Sequence, residues 1–249
     1  MPIHVGAACS DCNLDIPTDA TGDNISAKNP NYCELTGLYW AWKNMEPVEY
    51  IGLSHYRRYF NFRTPRFCYD VHNMTPEGMV RSGFADPDME LIRRYDMILP
   101  KPARFSMSMD EQYRKWTLGE PLDVLAEVLK EKYPEYLPAF RQVMRGNRLS
   151  CYNMFITRWQ IFQDYAEWLF DVLDEVAERT TIPEDPYQAR FFGFLSERLL
   201  HAYAVHHHLK VKHLQVVMLN EKPRNKSLFR RFLRYARKEL IFRLSRLRA

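Results

Sequence analysis

A dense run of polar residues, His55-Tyr56-Arg57-Arg58, follows the apolar segment 50–53. A short apolar segment of this kind indicates a buried strand, and α/β proteins bind ligands outside the ends of such strands. Arginine presents a planar fork of donors to phosphate oxygens and stays charged at cellular pH. Because strand side chains alternate between faces, we expect only one of the two arginines to contact a phosphate. We predict that His55, Tyr56, Arg57 and Arg58 all bind a phosphate-bearing donor, with His55 contacting one of its oxygens. The alternatives are structural ion pairs for both arginines and, for His55, a metal ligand or a core residue.

A second polar cluster lies in the loop that begins at Gly22. It contains Asp23, Asn24, Ser26 and Asn29. Such residues are common in turns for local hydrogen-bonding reasons. The loop also precedes a predicted helix, which Asn29 would cap, and the amides at a helix N-terminus attract anions. We therefore predict that these four residues bind the ribose or the phosphates of a nucleotide.

Both clusters lie within longer motifs: GDNISAKNPNYCELTGLYWAWKN at 22–44, IGLSHYRRYF at 51–60, YDMILPKP at 95–102, CYNMFI at 151–156 and RFFGFLSERL at 190–199. In this order they resemble the uncharacterised-domain family of bacterial capsular and exopolysaccharide glycosyltransferases, over residues 2–220. The resemblance implies a GT-A-like fold that transfers a sugar, in some members galactose or galactofuranose, from a nucleotide donor. We expect a UDP-linked donor and a lipid-linked saccharide acceptor.

The resemblance also bears on the metal and on the donor pocket. Many GT-A enzymes carry an Asp-x-Asp motif after the strand that corresponds to 50–53, where carboxylates hold a divalent metal against the diphosphate. His55 and two arginines occupy that place here, which implies that Arg57 and Arg58 replace part of the metal's role. A divalent cation, Mn²⁺ or Mg²⁺, remains open as a cofactor. Family members carry a further strand before Ile3, so we expect either an upstream start or an incomplete donor pocket.

Three carboxylates are candidates for the catalytic base. A transferase that inverts the anomeric carbon, as we expect here, needs a carboxylate to accept the proton of the acceptor hydroxyl. Glu197 is the first candidate, since it shares a predicted helical face with Arg190. Asp110 and Glu111 are the second candidates, although the helix dipole alone favours acids in a first helical turn. An ion pair of Glu197 with Arg190 or Arg198 is the structural alternative.

Asn153, Arg190 and Arg198 are expected to bind the acceptor. Asn153 lies within the apolar run 151–156, and a buried amide needs hydrogen-bond partners. Sugar hydroxyls and backbone groups would satisfy it equally well. The two arginines flank Glu197 on the predicted helix.

The apolar pattern predicts an α/β protein, and the resemblance implies a GT-A-like mixed sheet flanked by helices. Predicted strands are 3–8, 50–53, 95–99 and 214–219, and predicted helices are 122–143, 162–176 and 188–203. A chain of this length can bury one sizeable core, so we expect one catalytic domain at 1–221. Five cysteines, an odd number, fit a reducing cytoplasm. The pair Cys9 and Cys12 lacks the further ligands of a zinc site.

The segment 222–249 carries eleven Lys or Arg residues against one acid, so its net charge is +10 while residues 1–221 carry −6. Leucine and phenylalanine recur between the basic residues, which predicts a basic amphipathic helix. We expect residues 223–249 to bind the anionic inner face of the cell membrane, with the protein cytoplasmic and peripheral. Nucleic acid is the rival partner, but the apolar face argues against it. A partner protein helix is a further alternative.

A non-catalytic module that binds nucleotide or glycan within a polysaccharide assembly complex is the second hypothesis. The missing Asp-x-Asp motif and the missing first strand favour it. An enzyme would release UDP from a UDP-sugar in the absence of acceptor, whereas a module would bind UDP without releasing it from the sugar.

Overall fold

The structure is a computed structural model that describes residues 1–63, 72–220 and 236–237. The strands are β1 (Tyr50–Leu53), β2 (Arg58–Asn61), β3 (His72–Met74), β4 (Met97–Pro100), β5 (Ala103–Arg104), β6 (Arg148–Leu149), β7 (Phe155–Arg158) and β8 (Val211–Leu219). The helices are α1 (Asn29–Tyr32), α2 (Leu35–Asn44), α3 (Pro76–Ser82), α4 (Met89–Arg93), α5 (Met109–Trp116), α6 (Glu120–Lys132), α7 (Leu137–Arg145), α8 (Trp159–Arg179) and α9 (Phe191–His206). The predicted α/β class is confirmed. The predicted tail helix lies outside the described residues, apart from residues 236–237.

Six strands form one mixed sheet in the order β1-β7-β4-β8-β2, and β3 pairs in parallel with the end of β8. β1 and β2 lie at opposite ends of this order, yet only residues 54–57 join them. Four residues of extended chain span at most about 14 Å. The sheet therefore curls until its two ends approach each other, and the joining turn carries the predicted phosphate-binding arginines.

Two apolar clusters pack against the curled sheet. Met97 and Leu99 on β4 belong to the larger cluster, which includes residues of α2 and α5 to α9, while Ile98 belongs to the smaller one. This alternation is that of a strand with both faces buried. Within the described residues, no helix is long and apolar enough to cross a membrane.

The predicted strand 3–8 is wrong, because a buried carboxylate draws its backbone away from the sheet. His4 forms only a single bridge to Thr18, and Ala7–Cys9 is a 3-10 turn. Asp19 is fully buried. Its carboxylate accepts hydrogen bonds from the N–H groups of Gly6 and Ala7 and from the hydroxyls of Ser26 and Thr36. These bonds turn the amides inward and connect the N-terminal loop to the start of α2.

Candidate functional site

Three chain segments meet at the side chain of Asn153, which is buried just before β7. Its amide nitrogen donates to Glu34 Oε1 at 2.8 Å and to the carbonyl oxygen of Gly193 at 3.1 Å. Its amide oxygen accepts from the Ser196 hydroxyl at 3.0 Å. Protein groups thus satisfy the amide, and one side chain joins the start of α2, the loop before β7 and the first turns of α9. Acceptor binding by Asn153 stays a prediction.

The backbone of this cluster is strained. Five described residues other than glycine have a positive φ, and three of them lie here: Cys33 at 54°, Tyr152 at 84° and Asn153 at 52°. Such conformations cost on the order of 1–3 kcal/mol each and persist where the surrounding structure fixes them, often at ligand sites. The strain therefore marks this cluster as the candidate functional site.

Glu197 lies in this cluster, on α9, and its carboxylate accepts a hydrogen bond from the Tyr152 N–H at 2.6 Å. Burial raises the pKa of Glu197 to about 7. The Tyr152 N–H and the charges of Arg198 and Arg58 oppose this rise, while the charge of Glu34 adds to it. A carboxylate with such a pKa is about half ionised at neutral pH, which suits a general base.

The turn between β1 and β2 packs against Tyr152. Nε2 of His55 donates to the carbonyl oxygen of Tyr152 at 2.6 Å, which leaves Nδ1 to accept from Arg58 at 3.4 Å. The Arg58 guanidinium lies 4.5 Å from the centroid of the Tyr152 ring. Its Nε is buried and has no hydrogen-bond partner among the described residues. The structure thus brings His55 and Arg58 to the Glu197 cluster.

Arg57 and Tyr56 lie on the exposed side of the same turn. The Arg57 guanidinium is 5.2 Å from the centroid of the Tyr56 ring, so the two arginines contact different groups. Arg57 lies in the turn and only Arg58 lies in β2, so strand alternation is not the cause, and phosphate contact by one of the two stays a prediction. In the part of the chain that is described, neither Arg57 nor Arg58 forms a salt bridge. The alternative in which both arginines form structural ion pairs is therefore not realised among the described residues.

A cavity of about 130 Å³ with aromatic walls lies beside Glu197, and we call it the aromatic cavity. Trp116 and Tyr187 line it, and they are 58% and 47% exposed. Tyr113 and Arg198 also line it and are buried; Tyr113 Oη and Arg198 Nε have no hydrogen-bond partner among the described residues. Aromatic faces next to unsatisfied polar atoms suit a ligand with apolar faces and hydroxyl edges, such as a sugar ring.

Asn29 does not cap α1, and the prediction that it would is wrong. Asn29 is the first residue of α1, and the cap position belongs to Lys28. The Asn29 amide nitrogen instead donates to the carbonyl oxygen of Cys33 at 2.7 Å, just past the other end of the helix. A four-residue helix is short enough for one side chain to span it.

The other three polar residues of this loop stabilise the loop itself. Asp23 accepts a hydrogen bond from the Tyr39 hydroxyl, and Asn24 accepts one from the Ser26 N–H. Ser26 is buried and donates to Asp19. Donor binding by these residues and by Asn29 stays a prediction.

Asp110 and Glu111 lie in the first turn of α5, where both make local contacts. Glu111 forms a capping box with Ser108, and Asp110 pairs with Arg114 at 3.0 Å. Of the three predicted carboxylates, Glu197 is the one that lines the aromatic cavity. The catalytic role of each stays a prediction.

The two arginines that flank Glu197 are held by other groups. Arg190 Nε donates to Cys33 Sγ at 3.1 Å. Arg198 donates to the carbonyl oxygen of Phe194 at 2.7 Å and also to the Gln112 side chain. The alternative in which Glu197 forms an ion pair with either arginine is therefore not realised, and Arg198 acts on Glu197 through its charge alone.

The described residues contain no group of three or more His, Cys, Asp or Glu side chains that could hold a metal ion. At the place of the Asp-x-Asp motif, the donor set consists of one histidine and two arginines. Protein side chains of this kind do not fit a bound divalent cation, since guanidinium groups carry no acceptor. The cofactor stays open.

Sequence reasoning missed Glu34, Tyr152, Trp116 and Tyr187 as site residues. Glu34 and Tyr152 lie inside the motifs YCELTG and CYNMFI, and this position was the only indication in the sequence that they belong to the site. Tyr152 contributes mainly its backbone N–H and carbonyl groups, and such contacts cannot be predicted from the type of residue. Trp116 and Tyr187 are separated by 71 positions in the sequence, and no local pattern indicates that they line one cavity.

The curled mixed sheet with flanking helices is similar to that of a solved glycosyltransferase. That structure is the apo form of the bifunctional glycosyltransferase WbbM, with 33% sequence identity and a TM-score of 0.80 over 91% of this chain and 43% of that chain. Residues 1–208 match the model of a family described as a domain of unknown function, DUF4422, and the chain belongs to this family. The chain spans less than half the length of WbbM. No curated protein matches it.

Raising the pH should lower the stability of the native state through Glu197. A glutamate in an unfolded chain has a pKa of about 4.3, whereas the pKa of Glu197 in the folded chain is about 7. The resulting stabilisation is complete below the unfolded pKa and is lost as the pH rises through the folded pKa. As the pH rises from about 4 to about 8, the free energy of unfolding of the wild type should fall by roughly 3 kcal/mol relative to that of Glu197→Gln, which lacks the titrating carboxyl.

Urea denaturation across this pH range measures the difference. Glu167→Gln provides the matched control, because it makes the same substitution at an exposed position on α8. A difference between Glu197→Gln and the wild type that does not change with pH would contradict the raised pKa.

Proposed function

We propose that this chain is a glycosyltransferase that moves a sugar from a nucleotide donor to a saccharide acceptor. The observation that carries the proposal is Glu197, whose pKa near 7 and position beside the aromatic cavity suit a base acting on a sugar hydroxyl. The similarity to WbbM, described as a bifunctional glycosyltransferase, supports the same class of reaction.

In the proposed reaction, Glu197 accepts the proton of an acceptor hydroxyl while the hydroxyl oxygen bonds to the anomeric carbon of the donor sugar. The bond between this carbon and the donor diphosphate breaks, and its electron pair leaves with the diphosphate. Attack from the face opposite the leaving group inverts the anomeric carbon. Arg58, whose charge already acts on Glu197, stabilises the charge that develops on the diphosphate.

The aromatic cavity is the proposed position of the acceptor sugar. Trp116 and Tyr187 offer ring faces at the surface, and Tyr113 Oη and Arg198 Nε offer polar atoms for hydroxyl groups. A volume of about 130 Å³ lies well below the range of whole-ligand pockets, about 300–1,000 Å³, so the cavity suits a single sugar ring.

The finer assignment rests on the motifs and on the charge of the tail. We propose a UDP-linked donor carrying galactose or galactofuranose, and a lipid-linked saccharide acceptor of capsular or exopolysaccharide biosynthesis. Residues 223–249 would hold the enzyme, as a peripheral protein, on the anionic inner face of the cell membrane.

Replacing the proposed base should remove most of the sugar transfer. Because general base catalysis contributes about 10²–10⁴-fold, we expect Glu197→Gln to lower kcat by a factor in this range. The wild-type rate should rise as the pH passes through about 7, where Glu197 loses its proton, and the variant should lack this rise. Steady-state release of UDP from UDP-galactose and UDP-galactofuranose, with a saccharide acceptor, measures both effects. Glu167→Gln is the control, and a Glu197→Gln enzyme with wild-type kcat would exclude Glu197 as the base.

Sugar transfer should persist in excess EDTA if Arg58 takes over the metal's role at the diphosphate. Arg58→Gln should then lower kcat more than Arg57→Gln does, since Arg58 contacts the Glu197 cluster and Arg57 is exposed. The same UDP-release assay measures these rates. Complete loss of activity in EDTA that Mn²⁺ restores would refute the metal-free proposal.

Deleting residues 223–249 should release the protein from membranes, because the deletion removes the basic and apolar residues proposed to bind anionic lipid. Co-sedimentation with phosphatidylglycerol vesicles measures the bound fraction. Unchanged sedimentation of the truncated protein would show that another part of the chain binds the membrane.

A further inference from the structure

Three exposed apolar side chains lie at the mouth of the aromatic cavity, and we call them the platform: Trp116, Leu118 and Tyr187. They are 58%, 48% and 47% exposed. Trp116 and Tyr187 also line the cavity, so their rings continue from its wall to the protein surface. Leu118 directly follows Thr117, which lines the cavity as well. Single exposed apolar side chains are ordinary in proteins, whereas a group of them marks a surface that interacts with a ligand or partner.

The side chain of Gln188 joins the two segments that form the platform. Its amide oxygen accepts from the Leu118 N–H at 2.9 Å, and its amide nitrogen donates to the carbonyl oxygen of Trp116 at 3.3 Å. Asp185 accepts from the N–H groups of Tyr187 and Gln188 at 3.1 Å and 2.8 Å. These bonds fix the backbone on both sides of the platform before any ligand binds. A surface that is ordered in advance loses less conformational entropy on binding.

The surroundings of the platform favour an uncharged ligand. Within three sequence positions of its members, three basic residues are balanced by three acids: Arg114, Lys115 and Arg190 against Glu120, Glu184 and Asp185. An anionic membrane surface is attracted by an excess of basic residues, and the platform does not have one. The electrostatics of this surface therefore favour a neutral saccharide over a lipid surface.

The size of the aromatic cavity indicates where a longer acceptor would lie. At about 130 Å³ the cavity suits one sugar ring, so the next residue of a longer saccharide has to lie outside it. Trp116 and Tyr187 are the cavity-lining residues whose rings reach the surface. Sugar rings present apolar C–H faces, and these pack on aromatic rings. A second sugar that leaves the cavity on this side would contact the platform.

We propose that the platform is a second acceptor subsite, which binds the next sugar of an oligosaccharide whose terminal ring occupies the aromatic cavity. The acceptor is thus an oligosaccharide of two or more residues, and Gln188 is a positioning residue that holds Trp116 in place. This assignment rests on the proposed function for the name of the acceptor. The binding of a saccharide to the platform can be measured without any sugar transfer.

Calorimetric titration of the full chain with methyl galactoside and with a galactose disaccharide tests the proposal. We expect the disaccharide to bind about fivefold more tightly or better, because its second ring adds a stacking contact. Trp116→Ala should lose this preference, Trp116→Phe should keep most of it, and Gln188→Ala should lower it by a smaller factor. Val80→Ala removes a 79% exposed apolar side chain on α3 and is the matched control, with the preference of the wild type.

Quenching of tryptophan fluorescence by acrylamide locates the second sugar. Trp116 is the most exposed of the five tryptophans. The disaccharide should therefore protect the wild type from quenching more than methyl galactoside does, and Trp116→Phe should lack this protection. Thermal unfolding of each variant checks folding, and we expect little change for Trp116→Ala, since most of the side chain is exposed.

Three results would overturn the proposal. The first is a wild type that does not bind the disaccharide or binds both saccharides equally, and the second is an unchanged preference in Trp116→Ala. The third is protection of Trp116 by phosphatidylglycerol vesicles and not by the disaccharide, which would assign the platform to the membrane. Loss of the preference in Trp116→Ala of a protein that transfers no sugar would refute the proposed function and leave the subsite standing. Sugar transfer by a wild type without the preference would do the reverse.

Discussion

The site depends on the hydrogen bonds of one buried amide, that of Asn153. Without it, the Glu34 carboxylate would lose this hydrogen bond, and the Ser196 hydroxyl and the Gly193 carbonyl would keep only the bond between them. A buried polar group left without a partner costs about 1–3 kcal/mol. These bonds also hold Tyr152 and Asn153 in left-handed backbone conformations that would otherwise be unfavourable. In this strained conformation, the Tyr152 N–H donates to Glu197 and the Tyr152 carbonyl accepts from His55. One residue thus positions both the candidate base and the turn that carries Arg58.

The raised pKa of Glu197 depends on the absence of a direct contact with Arg190 or Arg198. An arginine in direct contact would lower the pKa of the carboxyl well below neutral. Arg198 is adjacent in sequence, but Phe194 and Gln112 hold its guanidinium, and Arg190 is held by Cys33. Burial therefore dominates, and the pKa of Glu197 rises to about 7. The same arrangement keeps Arg198 at the wall of the aromatic cavity.

Local patterns in the sequence predicted several of the strands and helices. The strand at 50–53 and the helices at 162–176 and 188–203 follow from periodicity, which is a property of neighbouring residues. The failures have long-range causes. The segment 3–8 is apolar enough for a strand, but the N–H groups of Gly6 and Ala7 donate to the buried Asp19 carboxylate instead of to a neighbouring strand.

Contacts between distant segments could not be predicted in the same way. Glu34 and Asn153 are separated by 119 residues, and no local pattern indicates that they meet. The facing pair Arg104 and Arg148 follows from the register of two two-residue strands, which is too little sequence to recognise. The centre of the candidate site therefore required the structure.

His201 and Glu197 are positioned by one short segment that precedes β7. Ser150 and Tyr152 donate their N–H groups to His201 and Glu197 respectively. The two acceptors are four residues apart on α9, which is about 6 Å along the helix axis. Backbone amides of a single segment therefore orient a neutral histidine and a glutamate with a raised pKa one helical turn apart. Because the same segment carries Asn153, the buried amide also fixes the place of both groups on α9.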